Sequence, residues 1–376
     1  MVPTTIDQPG PETIGALNER RSFVTGKWRY VAATVSVLAA ILAGCGRSNV
    51  TLAKDWSGYD SFVVVQRSSR LVLFGLGSAT GKVAALAYLD VTVRPHVVPS
   101  TSVLATPGGD TLLVVGAGAP NGSQVYRLDR ERRAIVNLGA MATGDLPITI
   151  GAEIGGVGPQ PADGDARYTS AMLQRYRVGA TGLTERSRVR LAIGPVAASQ
   201  ACYVGQGVTA ASVLVRADRP GPDIVVDERS LAQDVACRAG VAIVALNRRL
   251  TGPVATAPVP RSTNDHRLVV LPSGAPSWTI DVGDDPAHVA FLDGTTAVVD
   301  VGDVQNRALQ LIDLATRRIS QRVALPSTRS LTALTVTAGH VIAVGENAVT
   351  TLDGIGRVLG TARLPGASVT FHYVVS

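Results

Sequence analysis

PAHVAFLDGTTAVV (residues 286–299), followed by ALQLIDLATRRISQRVALP (308–326), decides the fold. Short runs of Val, Ile, Leu and Thr are cut by Asp293-Gly294, by the Asp303 loop and by the turn after Asp313. The pattern predicts strand, Asp-Gly turn, strand, loop, strand, turn and strand, a four-stranded antiparallel unit of about forty residues. One four-stranded sheet of this size cannot bury both its faces alone, so it needs a neighbour on each side.

The same grammar occurs upstream, where VLATPGGDTLLVV (103–115) is followed by QVYRLD (124–129) and AIVNL (134–138). The turn glycines Gly109 and Gly294 and the third-strand endings Leu128-Asp129 and Ile312-Asp313 carry a resemblance to YVTN-type blades of seven-bladed, WD40-like β-propellers. With the third-strand ending as anchor, Asp129, Val178-Gly179, Ala217-Asp218, Leu271-Pro272, Ile312-Asp313 and Leu352-Asp353 mark six units at spacings of 50, 39, 54, 41 and 40 residues. A seventh must come from residues 58–98, where Phe62–Gln66, Leu71–Phe74 and Val83–Leu89 supply three strands. The last strand, within Val369–Val375, is expected to complete that blade and close the ring, leaving no open sheet edge. The expectation is therefore an all-β chain with a single seven-bladed propeller over residues 58–376. Two long connections, Ile154–Thr169 and Thr251–Asp265, are expected as surface excursions in which function or disorder resides.

The amino-terminal region reads differently. Arg20, Arg21, Lys27 and Arg29 precede fourteen residues, Val31–Gly44, of Val, Ala, Leu and Ile with small residues. That is the charge and length pattern of an export signal, and the run is shorter than the roughly 20 residues of a membrane-spanning helix. Leu42-Ala43-Gly44-Cys45 resembles the lipobox of bacterial lipoproteins. The resemblance implies diacylglycerol transfer to the Cys45 thiol, cleavage before it, and a mature chain of 332 residues, with residues 45–57 as a lipidated tether and residues 1–44 as the cleaved signal peptide. Arg20-Arg21-Ser22-Phe23-Val24 also resembles a twin-arginine export motif. The expected location is the extracytoplasmic face of the cell membrane.

Net charge is only +6, and the lysines are Lys27, Lys54 and Lys82 alone, so arginine supplies nearly all the positive charge. Arginine-rich turns such as Arg130–Arg133 contain Glu131 and lack interleaved aromatics, which argues against a nucleic-acid partner. With Cys45 committed to lipid, Cys202 and Cys237 remain as an even pair, expected to form a disulfide in an oxidising compartment, two reduced thiols being the alternative.

The chain has no Gly-x-Ser-x-Gly, His-Glu-x-x-His, Cys-x-x-Cys or EF-hand pattern. GLGSATGK (75–82) departs from a phosphate loop by one misplaced glycine and by Val83 where Ser or Thr is needed, and is read as a hairpin turn. His96, His266, His288, His340 and His372 do not occupy equivalent blade positions and are read as isolated side chains, with His96 and His266 in connections. Asp163 and Asp165 are too few for a calcium site. No metal, cofactor or catalytic residue is assigned. Two functions stay open: a tethered module that docks a protein or envelope component, and a propeller enzyme of lactonase or quinoprotein-dehydrogenase type working at the channel mouth. Clustered Asp, Glu, His and Arg in the channel would favour the second.

Overall fold

A computed structural model describes residues 50–375 apart from 54, 68–69, 90–100, 106–110, 116–122, 142–145, 163–164, 192, 200–201, 208–210, 217–221, 239, 252–261, 304–305, 326–330, 346–347 and 365–372. Every regular element among the described residues is a β-strand, and the strands form seven antiparallel sheets. Blades 2 to 7 follow one another along the chain, each running from its inner to its outer strand. Blade 2 begins at Thr101, blade 3 at Leu146, blade 4 at Ile193, blade 5 at Ser230, blade 6 at Pro286 and blade 7 at Leu331. The Pro286 unit is built as its sequence predicts: Pro286–Phe291, Thr296–Val301, Ala308–Asp313 and Arg318–Ala324. Asp293 makes its turn by accepting the backbone N–H groups of Thr295 and Thr296, both at 2.7 Å.

Blade 1 is assembled from both ends of the propeller sequence. Ser61–Arg67, Arg70–Gly77 and Lys82–Leu89 are joined on the inner side by Tyr373–Val375, in register Phe62↔Val375, Val63↔Val374 and Val64↔Tyr373. On the outer side Val50–Thr51 adds a fifth strand against Tyr88 and Ala87. This short strand lies within the stretch expected to be tether, and Trp56, also in that stretch, is fully buried. The 75–82 segment is a hairpin turn, with Thr80 and Gly81 donating to the Gly77 carbonyl.

The side chains show why seven sheets make one ring. Each of seven buried apolar clusters lies between two consecutive blades, and one of them joins blade 7 (Ile342, Val344, Val349) to blade 1 (Val63, Val65, Val72, Phe74). Period-2 alternation sends neighbouring residues to opposite interfaces: Val299 and Val301 pack towards blade 5, whereas Val298 packs towards blade 7. The disulfide forms between Cys202 and Cys237, with Cα atoms 6.3 Å apart, and it links the second strand of blade 4 to the inner strand of blade 5.

The long connections differ from their expected form. Ile154–Thr169 is largely a β-ribbon, since Glu153–Ala162 and Asp165–Val178 pair as far as Ala162↔Asp165. The second connection is shorter than expected, because blade 5 pairs out to Leu250↔Ser262. In both places a polar or Gly-Pro-rich composition hides strands whose backbones pair.

Candidate functional site

The inner strands of blades 4 to 7 share a local irregularity. Each carries an extra residue, with register slipping at Pro195/Ala197, Ala232/Asp234, Pro286/His288 and Leu331/Ala333. Such bulges re-aim the residue beside them and are common next to functional sites. Here they form an arc on the channel wall in which Val196 and Gln233 are exposed and Ala287 and Thr332 are half-buried. The Gln233 carboxamide oxygen accepts from Asn247 Nδ2 at 2.7 Å, which fixes its orientation.

Behind two of the bulges lie Asp234 and His288. Asp234 Oδ2 accepts the backbone N–H of Val289 at 3.0 Å, satisfying a donor on the inner edge of blade 6 from blade 5. The same oxygen is 3.7 Å from His288 Nδ1. His288 Nε2 in turn faces the Leu331 carbonyl of blade 7 at 3.4 Å. One imidazole therefore spans three blades, and both its nitrogens face oxygen acceptors. Burial alone would push His288 down, but the Asp234 carboxylate, aided by Asp300 and the Leu331 carbonyl, holds it above its ordinary value.

Asp300, paired with His288 across blade 6, is fully buried and accepts from Arg307 Nη1 at 3.0 Å. Burial raises its carboxyl to about 6, against the opposing pull of Arg307 and His288. Its Oδ1 and the Arg307 Nε are buried without a partner among the described residues. Asp234, His288, Asp300 and Arg307 thus make an alternating charge cluster that reaches the channel at its Asp234–His288 end, where the two side chains are 23% and 25% exposed.

A second cluster ties blade 4 to blade 5. Arg267 Nη2 donates to Asp265 at 2.7 Å, to Asp227 at 3.0 Å and to Ser230 Oγ at 2.9 Å. Ser212 Oγ crosses to the Ser230 carbonyl. Burial raises both carboxyls, but for Asp265 the Arg267 guanidinium, and for Asp227 the backbone N–H groups of Arg229 and Ser230 with Arg267, hold them below their ordinary value. Arg267 itself is raised, chiefly by Asp265. All of these groups are spent on one another, which is the arrangement of a strut between blades.

Two readings of the histidines need correction. His266 lies inside the third strand of blade 5, its Nδ1 at 3.3 Å from Asp285 Oδ1. His288 is part of a cluster, because the blade 5–6 and 6–7 junctions bring carboxylates from other strands to it. A buried Asp300 in the apolar run TAVVDV was the one available sequence signal. His340 opens the second strand of blade 7. His96, His372 and Asp163 lie outside the described residues, as do Leu42, Ala43, Gly44 and Cys45; Asp165 begins a strand.

Seven sheets closed into one ring define the class, a seven-bladed β-propeller. Solved structures share that fold at low identity. A candidate 6-phosphogluconolactonase from Bacteroides fragilis has a TM-score of 0.56 at 9% identity, covering 86% of this chain and 99% of its own. Hydrazine synthase of Kuenenia stuttgartiensis has a TM-score of 0.51 at 14% identity, covering 79% and 93%. A protein of unknown function from Desulfotomaculum acetoxidans has a TM-score of 0.51 at 12% identity, covering 80% and 94%. At such identities the likeness is one of fold. No family profile matches the sequence, and no curated protein matches it.

Proposed function

We propose that this protein is an exported, lipid-anchored propeller that docks a protein or cell-envelope component on its channel wall. The observation that carries the docking reading is the arc of four consecutive inner-strand bulges, which presents Val196, Gln233 and Thr332 on one rigid ring. The lipobox resemblance of Leu42-Ala43-Gly44-Cys45 supports the anchor. A photo-crosslinking residue at Gln233 should capture one discrete envelope partner, and the same residue at Arg322 on the outer strand of blade 6 should not. Equal capture at both positions would remove the docking reading. Cys45→Ala should abolish acyl labelling and release the protein from membranes; unchanged membrane retention would remove the anchor.

One observation favours catalysis at the same mouth. The Asp234–His288 pair is partly exposed on the channel wall and has the residue types of an acid–base couple. His288→Gln separates the readings. An enzyme acting through this imidazole loses turnover of lactone substrates, whereas a docking module keeps its Gln233 crosslink.

A further inference from the structure

We propose that the outer rim of blades 1 and 2 is the surface that lies against the lipid bilayer, with the turn Arg130–Arg133 meeting the headgroups. This deepens the anchor reading and rests on lipidation of Cys45. Five residues after Cys45 the chain is already held, because Val50 and Thr51 pair with Tyr88 and Ala87 at the outer edge of blade 1. Five residues span at most about 18 Å when fully extended. A compact unit of this size has a radius of gyration of about 20 Å. The leash is thus shorter than the body it holds, and the rim where it attaches cannot swing away from the membrane.

The same point of the fold carries the arginine-rich turn. Thr51 Oγ1 donates to the Arg133 carbonyl at 3.2 Å, which joins the entering strand to blade 2. Arg130, Glu131, Arg132 and Arg133 are all exposed, and the Arg132 side chain is 85% exposed beside Asp129. On the other flank the Arg70 guanidinium lies 5.8 Å from the ring of Tyr88, the residue opposite Val50. Leu52, the residue after Thr51, is exposed. Four arginines here face three carboxylates, Asp55, Asp129 and Glu131, so charge adds only a modest preference for anionic headgroups. The short leash sets the orientation. Held by this rim, the propeller stands on its edge and its bulge-lined channel stays open to a partner.

The mature chain holds two natural reporters. Trp56 lies in the core between blades 1 and 2, and Trp278 lies in the outer strand of blade 5. The lipidated protein is reconstituted into phosphatidylcholine–phosphatidylglycerol vesicles carrying a trace of dansyl-labelled lipid. Energy transfer to dansyl should be several-fold stronger for Trp278→Phe, which reports Trp56, than for Trp56→Phe, which reports Trp278. Equal transfer, or stronger transfer from Trp278, overturns the orientation. Since Trp56 is buried and its replacement could impair folding, a second measurement uses the unaltered chain. Trypsin cleavage after Arg130, Arg132 and Arg133 should be several-fold slower on vesicles than for soluble Cys45→Ser protein, with cleavage after exposed Arg248 and Arg249 unchanged. Equal slowing at both places also overturns it. Failure of the anchor itself reads out separately, as loss of acyl label and of flotation with the vesicles.

Discussion

Replacing Asp300 by Asn isolates the energetic consequence of the buried cluster. The carboxyl is fully buried and its proton affinity is raised from 3.8 to about 6. That is about two decades at about 1.4 kcal/mol each, so the ionised form carries up to about 3 kcal/mol of destabilisation relative to the protonated one. A folded-state value above the unfolded one means the native protein takes up a proton on acidification. Stability from this group therefore increases as pH falls from about 7 towards 4, and is lost as pH rises through 6. His288 acts in the same direction, since its raised value gives a contribution that is complete below 6.5 and lost as pH rises through its folded-state value. Asn keeps an acceptor for Arg307 and has no charge to bury. Urea unfolding of soluble Cys45→Ser protein between pH 4.5 and 8 should show unfolding free energy rising by about 2 kcal/mol towards the acid end from Asp300 alone, since about 1.4 kcal/mol accrues per pH unit below 6. With Asp300→Asn added, the share of that slope due to Asp300 should vanish while that of His288 stays, and the variant should be the more stable protein at pH 8. Parallel curves for the two proteins across this window would refute the argument that burial outweighs Arg307.

Three further outcomes are expected. Reducing the Cys202–Cys237 disulfide, which closes a separation of 35 residues, should lower stability by about 3 to 4 kcal/mol, measured as a urea midpoint shift with and without reductant. Val374→Pro introduces a residue without a backbone donor into the strand that closes the ring opposite Val63, and Val369–Ser376 deletion removes that strand altogether; both should broaden thermal unfolding or abolish its cooperativity, and an unchanged melt would discount the closing strand. Asp234→Ala leaves the Val289 N–H without its acceptor and His288 without its carboxylate, and should destabilise by about 1 to 3 kcal/mol while lowering the His288 titration midpoint measured by NMR.

The blade units were legible because turn chemistry and period-2 patterning are local. Asp313, Leu352-Asp353 and Asp129 each end or follow a third strand, and every such anchor lies at or within two residues of a third-strand end in the structure. The ribbon at Glu153–Ala162 is hidden in the sequence, since Gly and Pro are turn-formers by composition and its pairing partner makes it a strand. The surroundings of His288 are hidden for a related reason. Asp234 lies 54 residues earlier and Leu331 lies 43 residues later, and neither separation carries a periodic signal.

By itself the amino-acid sequence determined the repeat length and the all-β character, and it set a seventh unit and a disulfide between the two remaining cysteines as expectations. All of these follow from interactions within a blade or from simple counting. Tertiary structure decided which side chains meet across blades: the four aligned bulges, the imidazole shared by three inner strands, the buried Asp300, and the strand that holds the chain to blade 1 soon after Cys45. The physical reason is that each blade leaves both faces and its inner edge unsatisfied, so the residues that complete it must come from neighbours whose identity is fixed only when the ring closes.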